Sequence, residues 1–213
     1  PDALGSYEEL LAAKNVDAVY IPLPTGLRKE FVLRAAAAGK HILCEKPCAT
    51  SAAELEEMLA ACRENNVQFM DGVMFMHGPR LAKVRAVLDD GRSVGEIRRI
   101  ASAFSFYSGE EFFQSNIRAN GALEPTGCLG DLGWYSIRFT LWAMNWRMPE
   151  SVAGKILSRS ENLPNRPSAP TEFSAELFYP GGVSAEFYCS FRTAKQQWAH
   201  VSGQQGWLLL PDF

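Results

Sequence analysis

The chain has 213 residues, 47% of them hydrophobic, 11% aromatic and 21% charged, with a formal net charge of -3. This is ordinary globular composition, long enough to bury a core in one large domain or two small ones. No block of basic residues suggests a nucleic-acid face, no apolar run is long enough to span a bilayer, and no signal-peptide pattern is visible. The five cysteines, Cys44, Cys48, Cys62, Cys128 and Cys189, are odd in number and form no C-x-x-C pair. A zinc site and a disulfide framework are therefore not expected, and each cysteine reads as a small buried hydrophobe in a reducing, cytoplasmic setting. Because the chain opens on Pro1, a targeting peptide ahead of it stays open.

In chain order, Ser6 and Glu9 form an S-x-x-E capping box and predict a short helix. Asp17 to Ile21 is a short apolar run ended by Pro22 and Pro24, which predicts a buried strand. Gly26 to Ala38 is alanine-rich, with Leu27, Phe31, Arg34 and Ala35 at helical spacing and Gly39 placed as a C-cap. A strand follows over His41 to Cys44. Ser51 and Glu54 repeat the capping box, and Leu55, Met58, Leu59 and Cys62 mark one helix face. Val67 to Val73 reads as a third strand. Strands separated by such helices pair in parallel through right-handed crossovers. Residues 1–77 are therefore expected to be the second half of a Rossmann doubly wound sheet.

The pattern changes after Pro79. Leu81, Val84, Val87 and Leu88 mark a helix stopped near Gly91, and Ile97 to Phe106 reads as a longer strand. Ser108 to Gly127 is polar and predicted irregular, and Leu129 to Met144 is predicted to be an apolar helix. From Ser151 the chain is strand-like. Thr171 to Phe178 and Val183 to Phe191 alternate around the turn Tyr179-Pro-Gly-Gly182. Trp198 to Ser202 and Trp207 to Leu210 flank Gly203-Gln-Gln-Gly206 as a second hairpin. Residues 78–213 are thus expected to form an open-faced, mostly antiparallel sheet domain. No G-x-G-x-x-G turn occurs in the sequence, so the visible sheet half lacks a phosphate-binding loop, and the chain reads as cut at both ends.

Two constellations carry chemistry. Glu45-Lys46-Pro47 lies at the carboxyl end of the second strand, where ligands of doubly wound sheets bind. A lysine held there between a carboxylate and a proline, which permits a cis bond, is placed to polarise a hydroxyl. The alternative is a surface lysine beside a turn. In Leu129-Gly-Asp-Leu-Gly-Trp-Tyr135, Asp131 and Tyr135 are four apart and would share one face of a helix. Tyr135 could exchange a proton if a cation lies near it. The alternative is an N-terminal helix aspartate beside a half-buried tyrosine.

Together these stretches resemble the Gfo/Idh/MocA oxidoreductases. The resemblance rests on Val16-Asp-Ala-Val-Tyr-Ile-Pro-Leu-Pro-Thr25, Ala38-Gly-Lys-His-Ile-Leu-Cys-Glu-Lys-Pro47, Met70-Asp-Gly-Val-Met74, Gly127-Cys-Leu-Gly-Asp-Leu-Gly-Trp-Tyr135 and Ser202-Gly-Gln-Gln-Gly-Trp207. It implies a Rossmann domain followed by an open-faced sheet used for homo-oligomerisation. It also implies NADP or NAD as cofactor and hydride transfer at a secondary hydroxyl or carbonyl of a sugar, cyclitol or diol. NADP is favoured by analogy with tyrosine-bearing members. By the same resemblance, Lys46, Asp131 and Tyr135 are the catalytic set, with Lys46 touching both nicotinamide ribose and substrate. Pro22, Leu23, Pro24, Thr25, Glu45, Lys46 and Met74 would contact the cofactor. Arg28, Met76 and Gly78 depart from residues common in the family, a histidine being common at the first. A non-catalytic relative or fragment acting as an oligomerising or sugar-binding module is the alternative.

Among the remaining candidates, His77 follows the third strand and could approach substrate, whereas His41 reads as packed and His200 as a sheet-surface residue. Arg118 could hold a sugar hydroxyl or a carboxylate, its plainer reading being a solvated loop arginine. The histidines have no metal-ligand spacing. Trp134, Trp142 and Trp146 read as core or interface.

Overall fold

In the computed structural model, which describes residues 3–212, two serines start helices in the way their spacing predicts. Ser6 Oγ accepts from the Glu9 amide at 3.1 Å ahead of α1 (Tyr7–Ala12), and Ser51 Oγ accepts from the Glu54 amide at 3.2 Å ahead of α3 (Ala52–Glu64). The glutamates reach one residue further back than a reciprocal box requires. Glu9 accepts from the Gly5 amide and Glu54 from the Thr50 amide, so the donor satisfied lies just outside each cap. Between them, α2 (Thr25–Ala37) ends where Gly39 adopts φ +72°. Lys40 N bonds Ala35 O at 3.0 Å and Gly39 N bonds Ala36 O at 2.9 Å, the paired closure of a Schellman turn.

Strands β1 (Ala18–Ile21), β2 (His41–Cys44) and β3 (Phe69–Asp71) pair in parallel in that order. The third is shorter than the run Val67 to Val73. Gln68 instead bonds both the His41 ring and the Ile42 amide, and the chain leaves the ladder at Gly72. Val19, Ile21, Ile42 and Cys44 point to one face and pack with Val32, Ala35, Ala36, Met58 and Cys62. Of the four residues noted at helical spacing in α2, Ala35 is buried and Phe31 packs against the core, but the other two face outward. Leu27 is exposed and Arg34 pairs with Glu8, while Thr25, Arg28, Val32, Ala35 and Ala36 turn inward. Small alanines let the helix approach the sheet closely, so the buried stripe is not the one with the largest side chains. Together these elements make one compact unit, Pro1–Gly72.

The second unit, Val73–Phe213, begins with a 3-10 turn over Met74–His77 and α4 (Pro79–Asp89). Its sheet contains β4 (Ile97–Ser105), β5 (Ser151–Arg159), β6 (Pro170–Tyr179), β7 (Val183–Ser190), β8 (Gln196–Gly203) and β9 (Trp207–Pro211). The spatial order is β5-β6-β7-β4-β8-β9, with β4 parallel to β7 and every other pair antiparallel. Both predicted hairpins form. One turns through Gly181 and Gly182 at positive φ, and the other closes by a Gly203 to Gly206 hydrogen bond. One sheet face buries Ile100, Ala185, Phe187, Cys189 and Val201 against α6 (Trp134–Ala143), whose Phe139 is fully enclosed.

Two predicted features of this unit differ. The stretch called irregular contains α5 (Glu110–Ser115) and a 3-10 turn over Ile117–Ala119. Six residues are too few for helical periodicity to show, and the anchor is tertiary: Phe113 is buried and the Arg192 guanidinium lies 4.3 Å over its ring. The single apolar helix predicted from Leu129 to Met144 opens instead as a π-helical turn, Leu129–Gly133, before α6 begins. No helix of the described residues is long and apolar enough to cross a membrane.

Candidate functional site

In the first unit, the chain leaving β1 and the chain leaving β2 are fastened to each other at the carboxyl edge of the sheet. Glu45 N bonds Ile21 O at 3.1 Å. Pro22, Leu23, Pro24 and Thr25 therefore lie at the same edge as Glu45 and Lys46. The Lys46-Pro47 bond is cis. Glu45 Oε1 accepts from the Tyr20 hydroxyl at 2.7 Å, and Oε2 accepts from the Lys46 amide at 3.0 Å. That carboxylate pushes the Tyr20 phenol above its ordinary pKa, because losing the phenolic proton would set two anions together. Gly72 closes the third strand end. Its amide bonds Cys44 O at 2.7 Å, and a Cβ there would come within 3.3 Å of both Cys44 O and Glu45 Oε1.

Arg28 completes this edge. It is 5% exposed, its Nε donates to Leu23 O at 2.6 Å, and Nη1 donates to Thr25 Oγ1 at 3.1 Å and to Pro47 O. Thr25 is itself 2% exposed, so its side chain faces the protein interior rather than the open edge.

In the second unit, the glycines of Gly127-Cys-Leu-Gly-Asp-Leu-Gly-Trp-Tyr135 are explained by close packing. Gly127 has φ +46°, and a Cβ there would sit 2.1 Å from Pro170 O. A Cβ on Gly133 would meet Leu129, Phe187 and Cys189 at 3.0–3.2 Å. The helix start is thereby pressed onto β7. Asp131 lies in the π turn and Tyr135 in the first turn of α6, so they do not share one run of α-helix as their spacing suggested. Extra-wide turns of this kind recur at functional sites.

Tyr135 is 7% exposed, with its ring against Phe75 and Phe104 at 5.8 and 5.4 Å between centroids. Its hydroxyl donates to Met74 Sδ at 3.5 Å, and Met74 is itself 66% exposed. Asp131 Oδ2 accepts from Arg118 Nε at 2.8 Å. Arg118 is not merely solvated. Its amide bonds Asn116 Oδ1, and Arg166 holds the Asn116 carbonyl at 3.0 Å, so its loop is anchored. His77 is exposed at the end of the Met74 turn.

The structure thus groups Pro22 to Thr25, Glu45 and Lys46 in the first unit, and Met74, Arg118, Asp131 and Tyr135 in the second. Sequence reasoning missed Tyr20 and the clamp made by Arg28. Tyr20 sat unremarked on the outward side of a strand, and Arg28 showed only as a departure from a familiar pattern.

A parallel sheet with a lysine and a carboxylate at its carboxyl edge, followed by a sheet domain carrying an aspartate and a tyrosine, defines a Rossmann-type oxidoreductase architecture. The chain belongs to the GFO/IDH/MocA family: residues 2–73 match its oxidoreductase domain with NAD-binding Rossmann fold, and residues 81–209 match its C-terminal domain. It is 34% identical over 209 residues to trans-1,2-dihydrobenzene-1,2-diol dehydrogenase of Mus musculus, covering 97% of this chain and 58% of that protein. It is 38% identical over 135 residues to dTDP-3,4-didehydro-2,6-dideoxy-alpha-D-glucose 3-reductase of Actinomadura kijaniata, covering 62% of this chain and 38% of that one. Among solved structures it resembles aldose-aldose oxidoreductase from Caulobacter crescentus complexed with glycerol. The TM-score is 0.85 and the identity 28%, over 96% of this chain and 60% of that one. A 3-ketoreductase from Actinomadura kijaniata in complex with NADP and TDP-benzene aligns with TM-score 0.82 and 29% identity, over 98% of this chain and 61% of that one. The chain spans about 60% of the length of the dihydrodiol dehydrogenases it matches.

Proposed function

We propose that this chain serves an NAD(P)-dependent oxidoreductase that moves a hydride between nicotinamide and a secondary hydroxyl or carbonyl of a sugar, cyclitol or diol. The observation that carries the reading is Lys46, fixed at the carboxyl edge of parallel strands by hydrogen bonds to the main chain on both sides of it. The donor set suits a nicotinamide ribose: an amine and a carboxylate for hydroxyls, beside apolar proline and leucine surface. The relatives named above act on diols and sugars, and solved neighbours hold NADP or NAD, which supports both cofactor and substrate class.

When bound, the nicotinamide supplies hydride acceptance or donation. The chain's own residues handle the proton. Lys46 hydrogen-bonds the reacting oxygen. Tyr135 takes the hydroxyl proton as the C–H hydride leaves and a carbonyl forms, and returns it in the reverse direction. Asp131 orients the substrate, and Arg118 holds a hydroxyl or carboxylate of it. His77 stands as an outer substrate contact. The proposed cofactor contacts are Pro22, Leu23, Pro24, Glu45 and the main chain of Thr25 in the first unit, with Met74 in the second. Lys46→Met removes the amine at similar volume and is expected to abolish turnover while the far-ultraviolet circular dichroism stays unchanged. Full activity in that variant refutes the assignment.

A second reading concerns assembly. Trp207 and Leu209 on β9 are 67% and 48% exposed, with the Trp207 ring stacked on His200. Exposed aromatic and aliphatic surface of this kind suits burial against another copy. A homo-oligomer through the open sheet face is the proposed state, and Trp207→Glu should convert it to monomer in light scattering. The five described cysteines are all free and buried, which suits the cytoplasm.

A further inference from the structure

We infer that Arg28 is a positioning residue for Lys46, an inference that rests on the function proposed above. Arg28 is 5% exposed, and a charge removed from water is costly unless its donors are satisfied in good geometry. Its partners are Leu23 O, Thr25 Oγ1 and Pro47 O, all of them neutral. Leu23 lies in the loop leaving β1, Thr25 is the first residue of α2, and Pro47 follows Lys46 in the loop leaving β2. The planar fork of arginine can address both loops at once, which the single ammonium of lysine cannot do in that geometry.

Lys46 is bracketed on both sides. On its amide side, Glu45 Oε2 accepts from Lys46 N at 3.0 Å, and Glu45 is held by the Tyr20 hydroxyl at 2.7 Å. On the other side, the carbonyl of Pro47 is held by Arg28. The main chain at Lys46 is therefore pinned from both directions. The rest of α2 is anchored independently by Val32, Ala35 and Ala36. Of the Arg28 acceptors, Leu23 packs against the same core and Thr25 shares the inward face of α2, whereas Pro47 O lies in the Lys46 loop. The clamp thus ties the packed start of α2 to the Lys46 loop through the Pro47 carbonyl. Loss of the clamp frees the Pro47 carbonyl and lets the Lys46 amine drift, and a displacement near 1 Å costs on the order of a hundredfold in rate.

The test compares Arg28→Lys and Arg28→Gln with the parent protein by two readouts. In the first, lysines are reductively methylated with carbon-13, and the dimethyl-Lys46 resonance, assigned through Lys46→Arg, is followed by NMR. Both variants are expected to shift or broaden that resonance while those of Lys29 and Lys155 stay in place. In the second, kcat falls at least tenfold in both variants with substrate KM within twofold of the parent. An unmoved Lys46 resonance together with parental kcat in Arg28→Lys overturns the inference. Unfolding of both variants also overturns it, by assigning Arg28 to general stability. A parent protein without turnover whose Lys46 resonance still shifts in the variants counts against the proposed activity and leaves the positioning role standing.

Discussion

Arg118 Nε and Asp131 Oδ2 lie 2.8 Å apart, joining an anchored loop to the π turn that precedes α6. The aspartate side chain is 17% exposed and the arginine 44%. A partly exposed pair of this kind contributes about 0.5–1 kcal/mol. Arg118→Ala should therefore lower the unfolding free energy by no more than about 1 kcal/mol in urea titrations. If Arg118 also meets substrate, the same variant raises KM about tenfold, equivalent to about 1.4 kcal/mol of lost binding. An unchanged KM would return Arg118 to a structural role.

Tyr135→Phe separates packing from chemistry. The ring contacts with Phe75 and Phe104 are retained, and the bond lost at Met74 is to a thioether, a weak acceptor. Stability should change by less than about 1 kcal/mol, whereas loss of a proton-transfer group lowers kcat by about 10²–10⁴. Stopped-flow turnover alongside a thermal melt measures both.

Gly127→Ala should be severely destabilising, because the position combines φ +46° with a Cβ that would lie 2.1 Å from Pro170 O. Left-handed strain alone costs about 1–3 kcal/mol in a non-glycine residue. With the clash, a loss of more than about 3 kcal/mol is expected by denaturant titration. A variant as stable as the parent would mean that the loop ahead of Asp131 is free to move away from β6.

Asp90 gives a pH prediction with a defined sign. The Ser93 hydroxyl, then the Ser93 and Arg92 amides, hold its carboxyl down to about 2 from an ordinary 3.8. A depressed carboxyl contributes stability above its unfolded value and loses it as pH falls through the folded one. The window is therefore pH 3.8 down to about 2. In carbon-13 titrations the Asp90 carboxyl should move with a midpoint near 2, and Ser93→Ala should bring that midpoint back toward 3.8.

Much of the first unit was legible because its signals are local. Serine caps, Gly39 and short β-branched runs each specify an element within a few residues. The strand β3 was overcalled because nothing local says where a ladder partner ends. Helix α5 was invisible because its anchor is Arg192 over Phe113, a contact between residues far apart in sequence. The π turn at Asp131 was equally hidden, since it depends on glycines pressed against β6 and β7. Of the candidate site, Lys46, Asp131 and Tyr135 could be picked out from motifs. Arg28 could not, because a buried arginine bonded to main-chain carbonyls leaves no pattern in the spacing of charges. The outward-facing Tyr20 was just as silent until its partner Glu45 was placed beside it.

The position of β4 has a kinetic consequence. It is the first strand of its sheet to emerge during synthesis, yet both neighbours, β7 and β8, come from the last third of the sequence. Pairings so distant pay loop-closure entropy before any contact rewards them. Ile100 and its surroundings must therefore wait, one edge unshielded until β7 has been made and the other until the chain beyond Gln196 has arrived. Assembly of the sheet is completed late, and translation stalled before that point leaves β4, a central strand of the finished sheet, as an open edge.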